Sequence, residues 1–151
     1  MQDHAIDPEV ELETFVAKFS DGIAVQIRAA RAIMRARMPG AFELAYDNYN
    51  ALAIGYSPTT KLSGVVFSLA VFPRWVSLFF RGGPSFQDPK GLLKGSGARV
   101  RHIVLMVPDD LNHPDVVSLM DQALSRTPLG ASHAGHLIIQ SISAKQRPRR
   151  P

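Results

Sequence analysis

The spacing of apolar positions changes period along the chain, and each change marks an element. Leu12, Phe15, Val16 and Phe19 recur at helical spacing behind Asp7-Pro8-Glu9. Asp7 suits a helix cap, Pro8 the first helical position, and Glu9 with Glu11 complements the positive end of the dipole. Ser20-Asp21 predicts the restart of a second helix. Its apolar stripe is Ile23, Ile27, Ala30 and Met34, and it ends before Pro39-Gly40. Arg28, Arg31 and Arg35 share a different face, read as solvated surface or as a docking face for an acidic partner.

The period then falls to two. Phe42, Leu44 and Tyr46 alternate with Glu43, Ala45 and Asp47, and Leu52, Ile54 and Tyr56 continue beyond the turn chemistry of Asp47-Asn48-Tyr49-Asn50. Residues 41–56 therefore read as a hairpin. Residues 64–72 and 75–81 are nearly continuous apolar strands joined at Pro73-Arg74, where proline's missing N–H does no harm. Their continuity predicts cover on both faces over part of their length. Residues 82–98 read as loop, with a short helical turn opening at Asp88-Pro89 and running to Leu92-Leu93. Residues 99–107 return as a strand. A late helix starts at His113-Pro114-Asp115, buries Val116, Val117, Met120 and Leu124, and stops at Thr127-Pro128-Leu129-Gly130. Residues 137–143 read as a last short strand. This order predicts an α+β fold: a mainly antiparallel sheet of about five to six strands, with N-terminal and late helices packed on one face.

Length and composition narrow the chemistry. The 151 residues fit one domain, taken as 1–143, with the basic tail 144–151 read as disordered. There is no cysteine, which excludes disulfides, thiolate catalysis and Cys-ligated zinc or iron–sulfur centres. The N-terminal stretch is acidic without an apolar core, so no secretory signal is expected. No apolar run reaches the roughly 18 residues a membrane span needs. A cytoplasmic, membrane-free protein is the expectation. The formal net charge is +4, with acids concentrated at the start (Asp3, Asp7, Glu9, Glu11, Glu13, Asp21) and Lys145, Arg147, Arg149 and Arg150 at the end. Nucleic acid is not an expected partner, because the bases are not interleaved with aromatic residues.

The segment Trp75–Leu105 carries the strongest functional signal. An aromatic strand leads into a loop holding Gly82, Gly83, Gly91, Gly95 and Gly97, and a basic apolar strand follows. Glycine lets backbone approach a ligand closely and leaves N–H groups uncovered. With Lys90 beside them, Lys94, Gly95, Ser96, Gly97, Arg99 and Arg101 form a candidate site for an anionic or polar small ligand. The competing reading is that these glycines only make turns. Lys94-Gly95-Ser96-Gly97 is no Walker loop, since the lysine precedes the glycine pair and a strand, not a helix, follows. Glu9, Glu13 and Asp21 are a second candidate, for a hard cation. Glu9 and Glu13 share a helix face, though solvated, dipole-complementing acids explain them equally. His133 and His136 are close in sequence, but no third ligand is evident. Ser77, Ser85 and Ser96 have no sequence-evident base, so a non-enzymatic domain is expected.

At WVSLFFRGG and DPKGLLKGSGARVRHIVL the chain resembles the YdhG-like family, small bacterial domains of unknown function, over roughly residues 8–126. The matching motif positions are Asp88, Gly91, Leu92, Leu93, Lys94, Gly95, Gly97, Arg101 and His102. The resemblance implies a frataxin-like fold, with helices against one side of a mainly antiparallel sheet. It also implies a site within the motif, with Leu92 and Leu93 as buried anchors. Through frataxin it implies, as the alternative function, an iron-binding chaperone for iron–sulfur cluster or haem assembly. Iron would then sit on an acidic ridge, for which this chain offers Glu9, Glu11, Glu13 and Asp21. The chain departs from such a ridge by turning basic at Arg28, Arg31 and Arg35.

Overall fold

The structure, a computed structural model, describes residues 6–129 and 136–151. Five strands follow one another as antiparallel neighbours: β1 (Phe42–Asp47), β2 (Leu52–Ser57), β3 (Phe67–Val71), β4 (Val76–Arg81) and β5 (Val100–Leu105). A sixth, β6 (Leu137–Ile142), returns to pair parallel with β1. The sheet order is β5-β4-β3-β2-β1-β6. The fold is α+β, and the expected antiparallel sheet becomes mixed only at this last edge.

Helix α1 (Pro8–Val16) begins as the sequence predicts, with Asp7 Oδ1 accepting from Glu9 N at 2.8 Å. Ser20 caps α2 (Asp21–Arg37) by accepting from Ile23 N. Helix α3 (Pro114–Arg126) follows a 3-10 turn at Pro108–Asn112, and His113 Nδ1 caps it. Its buried face is Val116, Leu119, Met120 and Ala123, not the expected set with Val117 and Leu124. A stripe of period 3.6 that starts at Val116 passes through 119, 120 and 123, and leaves Val117 about 100° away. Leu124 packs only at the core's margin.

The helices cover one sheet face. Leu12, Phe15, Phe19, Ile27 and Met34 join Ile54, Tyr56, Leu69, Leu78 and Phe80 in the core. On β1 this face carries Glu43, Ala45 and Asp47. Two acids of the alternating pair thus point inward, against the ordinary preference. Both are buried and both are paired, as described below. On the opposite face the loop after β2 folds across the middle strands. A Cβ on Gly55 would lie 2.9 Å from a Val65 methyl, and Gln140 Nε2 donates to Thr60 O at 2.9 Å. β2 is therefore covered on both sides at Gly55.

Two local expectations are corrected. The Asp88–Leu93 stretch is a turn, not a helix. Asp88 accepts from Leu92 N and Leu93 N, each at 2.9 Å, and Gly91 adopts φ 63°, which no α-helix contains. The tail 144–151 is not a free end. Arg149 is 5% exposed. Its Nη2 lies 2.9 Å from Asp47 Oδ1, and its guanidinium sits 5.7 Å from the Phe19 ring centroid. Lys18 Nζ holds the other Asp47 oxygen at 2.8 Å, and Arg147 N donates to Tyr49 O. Composition marks such a tail as solvated, but a buried carboxylate needs cations, and the tail supplies one. Among the described residues no helix is long and apolar enough to cross a membrane.

Candidate functional site

β4 ends at Arg81, where the chain must turn sharply to leave the sheet. Gly82 makes the turn with φ 78°, in the left-handed region that favours glycine. Its N–H donates to Arg99 O at 2.7 Å, which ties the departing loop to the start of β5. Gly83 then lies so close to β5 that a Cβ there would be 2.7 Å from Arg101 Cβ. A 3-10 turn at Gly83–Ser85 follows, and Phe86 inserts edge-on against Phe80.

Two hollows meet at this turn. The larger, about 390 Å³, lies between the loop at Ser63–Val66, Arg81, Gly82, Phe86 and the end of α3 at Ala123, Arg126 and Thr127. The smaller, about 270 Å³, is lined by Arg81, Gly82, Pro84, Ser85, Ala98 and Arg99. Arg126 spans from α3 to the turn. Its Nη1 donates to Ser85 Oγ, its Nη2 to Ser85 O at 3.2 Å, and the guanidinium stacks 4.7 Å over the Phe86 ring. Ser85 Oγ in turn donates to Gly82 O at 2.7 Å. Arg81 Nη1 donates to Ser63 O. Among the described residues Arg81, Arg99 and Arg126 form no ion pair, and the Arg99 guanidinium meets no protein acceptor. Three cationic forks without carboxylates around a concavity are a donor set for an anion.

Of the predicted site, Arg99 alone lines these hollows. Lys94 instead pairs with the edge of the sheet: its N–H donates to His102 O at 2.7 Å, and His102 N–H returns the bond at 3.0 Å. Gly95 lies beside the His102 imidazole, which stacks on Phe79 with centroids 5.0 Å apart. Gly95, Ser96 and Gly97 form an exposed strap whose amides have no acceptor among the described residues. Arg101 Nε donates to Gly97 O at 2.9 Å, so this side chain braces the strap. The sequence reading missed Arg81, Ser85 and Arg126. Arg81 had a local signal, a cation directly before a glycine pair. Arg126 had none, because it reaches the turn only through the packing of α3.

The acidic candidates are held differently. Arg31 grips Glu9 with two bonds of 2.7 Å, Arg35 adds a third at 3.2 Å, and Arg28 pairs with Glu13 at 2.8 Å. Hydrogen bonding from Arg31 holds the Glu9 carboxyl below its ordinary pKa, against the opposing effect of burial. Asp21 opens α2, and its field reaches Arg28. The arginine face expected to be solvated is therefore the counter-charge of the acids expected to be solvated. Glu43, 3% exposed, completes the cluster. It accepts from Arg31 at 2.9 and 3.0 Å and from the Tyr56 hydroxyl at 2.9 Å. Burial, reinforced by Glu43, pushes the Tyr56 hydroxyl well above its ordinary pKa. Among the described residues no three His, Asp or Glu side chains are placed to share a metal ion; His4 and His133 lie outside those residues.

Comparison with protein-family models, with curated proteins and with solved structures yields no match to this chain. Its function is therefore read from its own geometry.

Proposed function

We propose that the protein is a binding domain for an anionic small ligand, held where β4 ends and the 82–101 segment begins. The observation that carries this reading is the convergence of Arg81, Arg99 and Arg126 around Gly82 without a carboxylate partner among the described residues. Arg81 and Arg99 supply charge, Arg126 supplies directed donors, and the strap from Lys94 to Gly97 with Arg101 extends the positive field. An anion arriving here displaces no carboxylate. At the Glu9–Arg31–Glu43 cluster it would have to compete with two. Charge-assisted hydrogen bonds contribute about 1.5–3 kcal/mol each. Two or three of them, largely offset by the cost of immobilising a small molecule, place the expected Kd at about millimolar.

The test is an isotope-edited NMR titration with phosphate, sulfate and small carboxylates. Shifts at the Gly82, Ser85 and Arg99 amides are expected. Silence at all three at millimolar ligand ends the proposal. No observation favours the iron-handling alternative, because Glu9 and Glu13 already carry arginine partners.

A further inference from the structure

We infer that the ligand carries two linked anionic groups, one seated in each hollow with Arg81 between them, a diphosphate being the simplest molecule of that class. This rests on the anion-binding reading above and narrows it. The two hollows share Arg81 and Gly82, and each adds one arginine of its own: Arg126 on the α3 side and Arg99 on the β5 side. Each lobe thus has a private guanidinium and access to a common one. A guanidinium carries five N–H donors, and Arg81 commits Nη1 to Ser63 O. Its remaining donors serve acceptors on either side. Gly82 has no side chain to wall the lobes apart; a Cβ there would come 3.8 Å from Arg126 Nη1.

Charge balance points the same way. One carboxylate leaves most of a three-guanidinium field uncompensated. A phosphate group carries about −1.5 to −2 near neutral pH, so two linked groups match three cations. Two separate anions in adjoining lobes repel each other. A covalent link overcomes this, because the second group arrives at the high effective concentration set by the first.

The experiment is isothermal titration calorimetry of the intact chain with sodium pyrophosphate and with orthophosphate at low ionic strength. It is repeated on Arg99→Gln and Arg126→Gln, with folding checked by circular dichroism. Pyrophosphate is expected to bind the native chain at least about tenfold more tightly than orthophosphate. Each substitution should weaken pyrophosphate by about tenfold, toward the orthophosphate value, while orthophosphate changes by less than about threefold because the other lobe still serves it. Arg99 touches no protein acceptor among the described residues, so its variant keeps the test valid even if Arg126→Gln fails to fold. Equal affinity for the two anions, or loss confined to one substitution, overturns the two-group inference and leaves the anion-binding reading standing. No heat with either anion removes both.

Discussion

Arginines at the two ends of this molecule live in opposite circumstances. Along α2, Arg28, Arg31 and Arg35 are matched to Glu9, Glu13 and Glu43, and under the β1–β2 turn Arg149 is matched to Asp47. Around the end of β4, among the described residues, Arg81 meets a carbonyl, Arg126 meets a carbonyl, a hydroxyl and an aromatic ring, and the Arg99 guanidinium meets no acceptor. The same residue type thus serves two ends. Paired, and buried most deeply at Arg149 and then Arg31, it holds α1, α2, β1 and the tail together; unpaired at a concavity, it leaves donors facing outward. Removing a paired arginine should damage the fold. Removing an unpaired one should spare the fold and damage binding.

The contrast is sharpest at Arg149. Breaking one partner of a buried ion pair costs about 3–5 kcal/mol, and Lys18 remains to hold Asp47, so Arg149→Met should lose about 3 kcal/mol in urea unfolding. A loss under about 1 kcal/mol would mean that the tail is only loosely seated. Glu43→Gln is next. It keeps the shape but removes the charge facing Arg31 and Arg35, and about 2–3 kcal/mol should disappear from the same measurement.

Acid should attack the paired end selectively. Burial raises the Asp47 carboxyl, but hydrogen bonding from Lys18, Gln146 and Arg149 outweighs it and holds the pKa below the ordinary value. Glu9 is lowered as well, chiefly by its bond from Arg31. For a carboxylate whose folded pKa is depressed, the stabilisation is complete above the unfolded pKa, about 4, and vanishes as pH falls through the folded value. The urea midpoint should hold from pH 7 to about pH 5 and drop below pH 4, and Asp47→Asn should flatten that drop. An unchanged profile in Asp47→Asn contradicts the assignment. The smallest effect belongs to Arg99→Gln, whose stability should stay within about 0.5 kcal/mol of the native chain. If Arg99→Gln unfolds the protein, the division between the two ends collapses.

The framework was legible in the sequence wherever a rule acts locally. Asp7-Pro8 and Ser20 cap helices because a cap needs only its own next turn. The 42–57 hairpin was visible because turn residues sit between alternating strands. What remained hidden depends on partners far along the chain. Alternation gave no hint that β1 turns Glu43 and Asp47 inward, since their counter-charges come from α2, Lys18 and Arg149. The tail reads as disordered for the same reason. Of the candidate site, the glycine turn and Arg99 were readable, whereas Arg126 joins them only after α3 packs. Lys94 through Gly97 look in sequence like a ligand cradle, yet Lys94 is engaged in pairing with His102.

That pairing bears on how copies of the chain meet. β5 is an outer strand, and outer strands invite strands from other molecules to add on. His102 faces outward, so by alternation the backbone groups of Val100 and Val104 face outward too. With Lys94 bonded across His102, the vacant rim is reduced to separated single-residue gaps, each too short for a foreign strand to zip along, and the lysine and arginines nearby repel an identical edge. A variant such as Lys94→Pro, which deletes the strap's N–H donor, is the place to look for fibrils.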